Sequence, residues 1–296
     1  MTARAALVLL LVMAAAVGGC RKAPPPAAEG PPPAPAEAYV APLTAEDYPW
    51  PKQAERYEPL AARFPPPEGF ERVPVAEGSW GEWLRHLPLL PAGTPVRSLD
   101  GSVVMRDNAP ELAAVVDMDV REDQECAGVI LRLRAEYLRH VGRGDDITFH
   151  LTDGGLTSWG VWRSGMRLRV EGDRLIFHRV APPDDSRERF DGFLANLFAW
   201  CGTKSLAWDG RPVGSQEPAV GDFFVSGGSA GHALLIVDLA RSGSGELRGL
   251  ILQGFTPPQS PHILAGGEPG AWFKLSAGRP VEVPWGRFDW DELRRF

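Results

Sequence analysis

The feature that most constrains the fold is a pair of segments about a hundred residues apart with opposite periodicities. From Cys126 the apolar residues Cys126, Val129, Ile130, Leu133, Tyr137 and Val141 recur at three- and four-residue steps, which is the face of a buried helix. Glu122-Asp123 precede it as a cap, placing Cys126 at about its third or fourth position, and Gly142–Gly144 end it. The second segment begins with the turn Gly221-Asp222. Strands follow near Asp222–Ser226, His232–Leu239 and Leu247–Gln253, with Ser242-Gly243-Ser244-Gly245 between the last two. A helix laid on antiparallel strands gives an α+β fold. Folding back about Ser242–Gly245 sets His232 opposite roughly Phe255, with Gln253 within two positions of it. Asp238 is on the same strand as His232 and roughly 20 Å away at ~3.3 Å per residue, too far to orient its ring.

The remaining elements fit the same class. Ser79–Leu87 reads as a short amphipathic helix stopped by Pro88, and Val96–Met105 as a hairpin with Asp100-Gly101 at its tip. Val115–Val120 is expected as a strand. Ile147–Val180 alternates apolar and polar residues with glycine breaks and is expected to form three or four antiparallel strands. Arg187–Trp200 reads as a second helix, with further strands near Trp272–Leu275 and Val281–Val283.

The amino terminus sets a context. Met1–Arg4 is basic, Ala5–Val17 is apolar, and Val17-Gly18-Gly19-Cys20 follows. The apolar run is too short for a stable bilayer span and has the layout of a signal peptide over 1–19. Its end resembles the lipobox of bacterial lipoproteins, in which Cys20 becomes the lipidated first residue. Arg21, rather than Asp, favours an outer membrane facing the periplasm where the host has one. Residues 20–65 are expected as a tether and lead-in, and 66–296 as the folded domain. The Pro, Ala and Glu of Lys22–Pro42 offer little apolar bulk. Twenty such residues at ~3.1 Å each reach roughly 60 Å, toward the cell wall.

A net charge of −7 without a basic stripe excludes nucleic acid as the expected partner. The sequence has no Walker loop, dinucleotide fingerprint or zinc signature, so neither cofactor nor metal is expected. Of three cysteines, Cys126 and Cys201 remain after lipidation. A disulfide between them is one reading; their unlike settings favour two free thiols.

Cys126 is the candidate nucleophile, because a helix start lowers a thiol pKa and offers N–H groups to a developing oxyanion. The alternative is a buried structural thiol. Gln124 is a second oxyanion candidate. His232 follows a glycine-rich run whose last residue, Gly231, is too small to cover the ring, leaving it open to a cleft as a base. Gln253 is the orienting group, with Gln259 and His262 in reserve. Trp159, within Ser158–Trp162, and Trp200 are platform candidates if the cleft only binds.

Gln124–Ile130 is similar to the Asp-Cys-Ser-Gly-Leu-Val motif of NlpC-type cell-wall peptidases. Gly202–Ser205 through Val225 and Gly231–Val237 look like that family's Gly-Asp and His strands, with Gln253 at its third polar residue. The resemblance implies a papain-like fold and hydrolysis of peptide amides in peptidoglycan. Glu125 and Ala127 depart from the motif, and the stretch from Cys126 to His232 is about twice as long, so Ile147–Val180 becomes an inserted β region. Over most of Phe70–Phe296 the chain more closely resembles a bacterial lipoprotein family, domain-of-unknown-function family 4846. Its signatures look like Leu131–Leu138, Gly202–Leu206, Gly231–Ala233 and Gln259–Leu264. The expectation is a lipid-anchored envelope cysteine hydrolase acting on cell-wall peptide or a related amide. The rival is a binding module with the same fold that holds a glycan or peptide. Cys20→Ser should move the protein from the membrane to the soluble fraction; unchanged membrane association and no lipid mass on Cys20 would contradict the anchor.

Overall fold

The computed structural model describes residues 43–50, 56–172, 174–227, 231–266 and 270–296. The signal peptide, Cys20 and the Lys22–Pro42 tether lie outside the described residues. In chain order the elements begin with α1 (Leu60–Arg63), β1 (Phe70–Arg72), α2 (Trp80–Arg85), β2 (Val96–Arg97), β3 (Val103–Met105), β4 (Leu112–Val115) and α3 (Cys126–His140). A middle region follows with β5 (Thr148–His150), β6 (Leu156–Ser158), α4 (Trp159–Arg163), β7 (Met166–Glu171), β8 (Arg174–Arg179), α5 (Arg187–Trp200) and α6 (Thr203–Asp209). The last part holds β9 (Arg211–Pro212), β10 (Phe223–Ser226), β11 (His232–Ser242), β12 (Leu247–Gln253) and β13 (His262–Leu264). It ends with β14 (Phe273–Leu275), β15 (Val281–Val283), β16 (Gly286–Phe288) and β17 (Leu293–Arg295).

The fold is mixed α and β around a large antiparallel sheet. The strand order is β4-β13-β12-β11-β10-β17-β9, with β1 added on β11 and β14 on β12. Strand β11 is apolar on both faces because both are covered. Ala233, Leu235 and Val237 enter a core shared with α3 and α5, while Leu234 and Ile236 enter a second core with Phe224, Ile251 and Phe288. A bulge between Ile236 and Asp238 inserts one residue, so that Leu239, not Asp238, continues the second core. Asp238 is thereby turned onto two arginines, Arg72 Nε at 2.8 Å and Arg85 Nε at 2.7 Å, and is fully buried.

Helix α3 is buried on nearly every side, and its two interior charges are both bonded. Glu136 takes both terminal nitrogens of Arg187 at 2.7 Å. Arg132 donates to the Asp119 carbonyl at 2.9 Å and to Gln124 Oε1 at 2.7 Å. Such pairing is what makes an interior charge tolerable.

Several expectations are corrected. Helix α3 starts at Cys126 with Glu125 as its N-cap, so Glu122-Asp123 do not cap it. Asp123 instead adopts a left-handed φ of 57° in the turn before it. The strand expected over Val115–Val120 lies earlier, at Leu112–Val115, because beyond Val116 the chain leaves β13: the Asp117 N–H bonds the Pro88 carbonyl and the Met118 N–H the Val116 carbonyl. Ser158–Trp162 opens a helix rather than a strand, since Ser158 Oγ accepts the Val161 N–H at 3.2 Å as an N-cap. The middle region is therefore two separate hairpins, β5–β6 and β7–β8. Core packing also begins before residue 66. Tyr48, Trp50 and Leu60 are buried, and the Tyr48 hydroxyl donates to the Trp83 carbonyl at 2.7 Å.

Removing Asp238 strands two arginines, both largely shielded from water. Asp238→Ala should cost about 3–5 kcal/mol of stability, read by denaturant unfolding; a loss below about 1 kcal/mol would show that the cluster is not held as described.

Candidate active site

The first residue of α3 is Cys126, and no side chain caps this helix. The first intrahelical bond runs from Val129 N to Glu125 O. The N–H groups of Cys126, Ala127 and Gly128 therefore precede the ladder, as at any helix start. Gly254 lets the end of β12 lie against this turn: a Cβ there would sit 2.5 Å from Val129 Cγ2 and 3.3 Å from the Glu125 carbonyl. The sulfur faces the backbone N–H groups of Ala127 and Ala233, which favour the thiolate. Burial opposes them more strongly and pushes the Cys126 thiol up. The low pKa expected from a helix start is thus overridden by desolvation.

Gln124 is fully buried, and its Oε1 is engaged by Arg132. It braces the turn that leads into α3 and is not on the wall of the cavity described below. Cys126, Ala127 and Gly128, whose backbone N–H groups precede the helix ladder, are on that wall.

The imidazole stands at the other side. His232 opens β11, Gln253 closes β12 and His262 opens β13, so three adjacent strands place one residue each in a row. His232 Nε2 lies 2.9 Å from Gln253 Oε1, and Gln253 Nε2 lies 3.0 Å from His262 Nε2. His262 Nδ1 lies 2.9 Å from the Ser260 carbonyl. Next to the turn the register is one residue off the one expected, with Leu239 facing Gly249; the bulge after Ile236 restores it at the site end, where Leu235 faces Leu252 and Ile236 faces Ile251, and the His232 and Phe255 rings lie 5.3 Å apart. Burial lowers the His232 pKa, with Gln253 opposing. Burial holds His262 down to about 4, the neighbouring His232 adding to this and the Ser260 carbonyl opposing.

Cys126, Gly231 and His232 line one cavity of about 900 Å³ at the end of the sheet. Phe255 and Phe288, with rings 5.3 and 6.0 Å from that of His232, form an aromatic wall with Trp285 at the tip of the β15–β16 hairpin. Asp123 and Glu125 stand at one side and Arg287 at another. Cys201 is also on the wall, where burial first and Asp209 second push its thiol up to about 12. Both Cys126 and Cys201 are free, so the disulfide alternative does not hold.

Trp159 is not at the cleft. It is buried against Phe190 and Phe193, with ring centroids at 5.0 and 5.8 Å, and its Nε1 donates to Asp185 at 3.2 Å. Trp159 is the first residue of α4 and is buried there. Trp200 is exposed beside Cys201 and off the lining. Gln259 bridges to Ser98 instead. The Gly221-Asp222 turn is structural: Gly221, at φ 94°, lies under the Trp80 indole, and Asp222 clasps Arg295 at 2.6 and 2.7 Å. Trp285 was missed by the sequence reading. Pro284-Trp285 as a two-residue turn after Val281–Val283 is the signal that could have found it.

The profile of the family described as Domain of unknown function (4846) matches residues 60–295, and the chain belongs to that family. No curated protein and no solved structure matches the chain.

The depressed His262 pKa has a consequence for stability. Between about 4 and the ordinary value of about 6.5, the unfolded chain takes up a proton that the folded one refuses. This contribution is complete above pH 6.5 and is lost as pH falls toward 4, by up to about 3 kcal/mol. Unfolding free energies at pH 7 and 4.5 should therefore fall more for the wild type than for His262→Gln; parallel pH curves would contradict it.

Proposed function

We propose that this family member is a cysteine hydrolase with a papain-like core that cleaves a peptide or related amide in the cell envelope, tethered there by lipid on Cys20. One observation carries the reading: Cys126 at the start of α3 and His232, held through Nε2 by Gln253, open onto the same cavity. With Nε2 engaged, Nδ1 is the nitrogen left for the thiol. Cys126 Sγ attacks the carbonyl carbon while Nδ1 takes its proton, and the oxyanion meets the backbone N–H groups of the helix start. The imidazolium returns the proton to the leaving amine, giving a thioester. Water then attacks the thioester, Nδ1 takes its proton, and the acid departs as the thiol re-forms.

Burial raises the thiol and lowers the imidazole, so the resting pair is neutral rather than a thiolate–imidazolium pair. Proton transfer then accompanies attack. The same electrostatics, with the aromatic wall of Phe255, Phe288 and Trp285, favour the second reading, a module that holds a peptide or glycan without cleaving it.

Iodoacetamide separates the two. At neutral pH it should modify Cys126 well ahead of Cys201. His232→Ala should slow Cys126 modification by roughly 10²-fold or more, the scale of a lost general base, and Gln253→Ala should slow it less. Equal rates at Cys126 in wild type and His232→Ala would remove the base and the hydrolase reading with it.

A further inference from the structure

We propose that His262 is a positioning residue that fixes, through Gln253, which nitrogen of His232 is basic. The proposal rests on the reading of His232 as the base, but its primary measurement does not require turnover. It begins at a backbone carbonyl. The oxygen of Ser260 can only accept, and it lies 2.9 Å from His262 Nδ1, so Nδ1 carries the proton. In a neutral ring the lone pair is then at Nε2, 3.0 Å from Gln253 Nε2, an amide nitrogen that can only donate. The other end of that amide, Oε1, is thereby directed at His232 Nε2, 2.9 Å away. An amide oxygen can only accept, so His232 Nε2 carries its proton and Nδ1 keeps a lone pair. Each assignment follows from the one before it.

Gln253 could not fix this by itself. The two ends of a carboxamide are alike in shape, and a turned amide would present Nε2 to His232. The imidazole would then carry its proton on Nδ1 and could not accept one from the thiol. His262 removes that alternative, because a turned Gln253 would set its oxygen against the His262 lone pair. The position suits this task. His262 is fully buried, its Cα partners are Gln253 on β12 and Val115 on β4, and the Trp285 ring covers it at 6.4 Å. Among the described residues no carboxylate or cationic side chain is hydrogen-bonded to it, so the neutral ring is the state the pocket holds.

The test is long-range proton–nitrogen correlation NMR on the intact chain with ¹⁵N-labelled histidines at pH 7.5. The wild type should show His262 protonated on Nδ1 and His232 protonated on Nε2. His262→Phe should move His232 toward the Nδ1–H form and slow iodoacetamide modification of Cys126 by roughly tenfold or more, as a wrong tautomer costs in known triads. His262→Gln keeps an acceptor near the Nε2 position and should retain the wild-type tautomer. Gln253→Glu offers only acceptors, so in that background His262→Phe should leave the His232 tautomer unchanged. Wild-type His232 found as Nδ1–H, or an unchanged tautomer in folded His262→Phe, overturns the proposal. If His262→Phe does not fold, the wild-type spectrum decides. A locked tautomer beside an unreactive Cys126 would leave this proposal standing and remove the hydrolase reading; a reactive Cys126 beside the opposite tautomer would do the reverse.

Discussion

The pairing of β11 with β12 is the constraint on which both fold and site depend. Leu235 against Leu252 and Ile236 against Ile251 set the register. Because side chains alternate along a strand, a slip of one residue would exchange the two cores and turn Gln253 away from His232. The bulge after Ile236 then places Asp238 on Arg72 and Arg85. Arg72 lies on β1, which pairs with β11 itself, so a β11 turned over to present its other face would bury that carboxylate without its partners, at a cost of several kcal/mol. Register, charge burial and site geometry therefore select the same arrangement.

Two effects compete at Cys126, and their sizes decide the protonation state. A helix start contributes about 0.3–1 kcal/mol to a nearby anion, and up to ~2 in partly buried settings. Desolvation of a buried ionisable group reaches ~3–5 pKa units, which is larger. The direction of the Cys126 shift follows burial, and His232 shifts in the complementary sense. On the proposed hydrolase reading, a neutral pair of this kind relies on an imidazole already in its accepting tautomer, and the row from His232 through Gln253 and His262 to the Ser260 carbonyl would hold it there. The brace from Arg132 to Gln124 and Asp119 holds the other half of the site in place.

Elements with strong, uninterrupted periodicity were legible in the sequence. Helix α5 and strand β12 have the boundaries read from it, and the hairpin turn led to Gln253 as the partner of His232, although the bulge after Ile236, which the sequence does not announce, is what brings the site end into that register. The failures have local causes. Ser158 acts as a helix cap in a segment whose alternation suggested a strand, and the Trp-rich run there suggested a cleft platform, although Trp159 does not line the cleft. Tyr48 and Trp50 lie near a Pro-rich run, yet both are buried against Trp83, a partner more than thirty residues away that the sequence does not point to. The low thiol pKa failed because burial cannot be read from a helix start alone. His262 was held in reserve because its place beside Gln253 depends on the β12–β13 register, which no turn motif in the sequence specifies.

The central claim is that Cys126 breaks a bond, and the most direct measurement is mass spectrometry of material released from purified cell-wall sacculi by the intact chain. The account predicts peptide fragments bearing new amine termini from the wild type and none from Cys126→Ala. Sacculi that retain the wild-type protein but release no new termini, or equal release by Cys126→Ala, would contradict it.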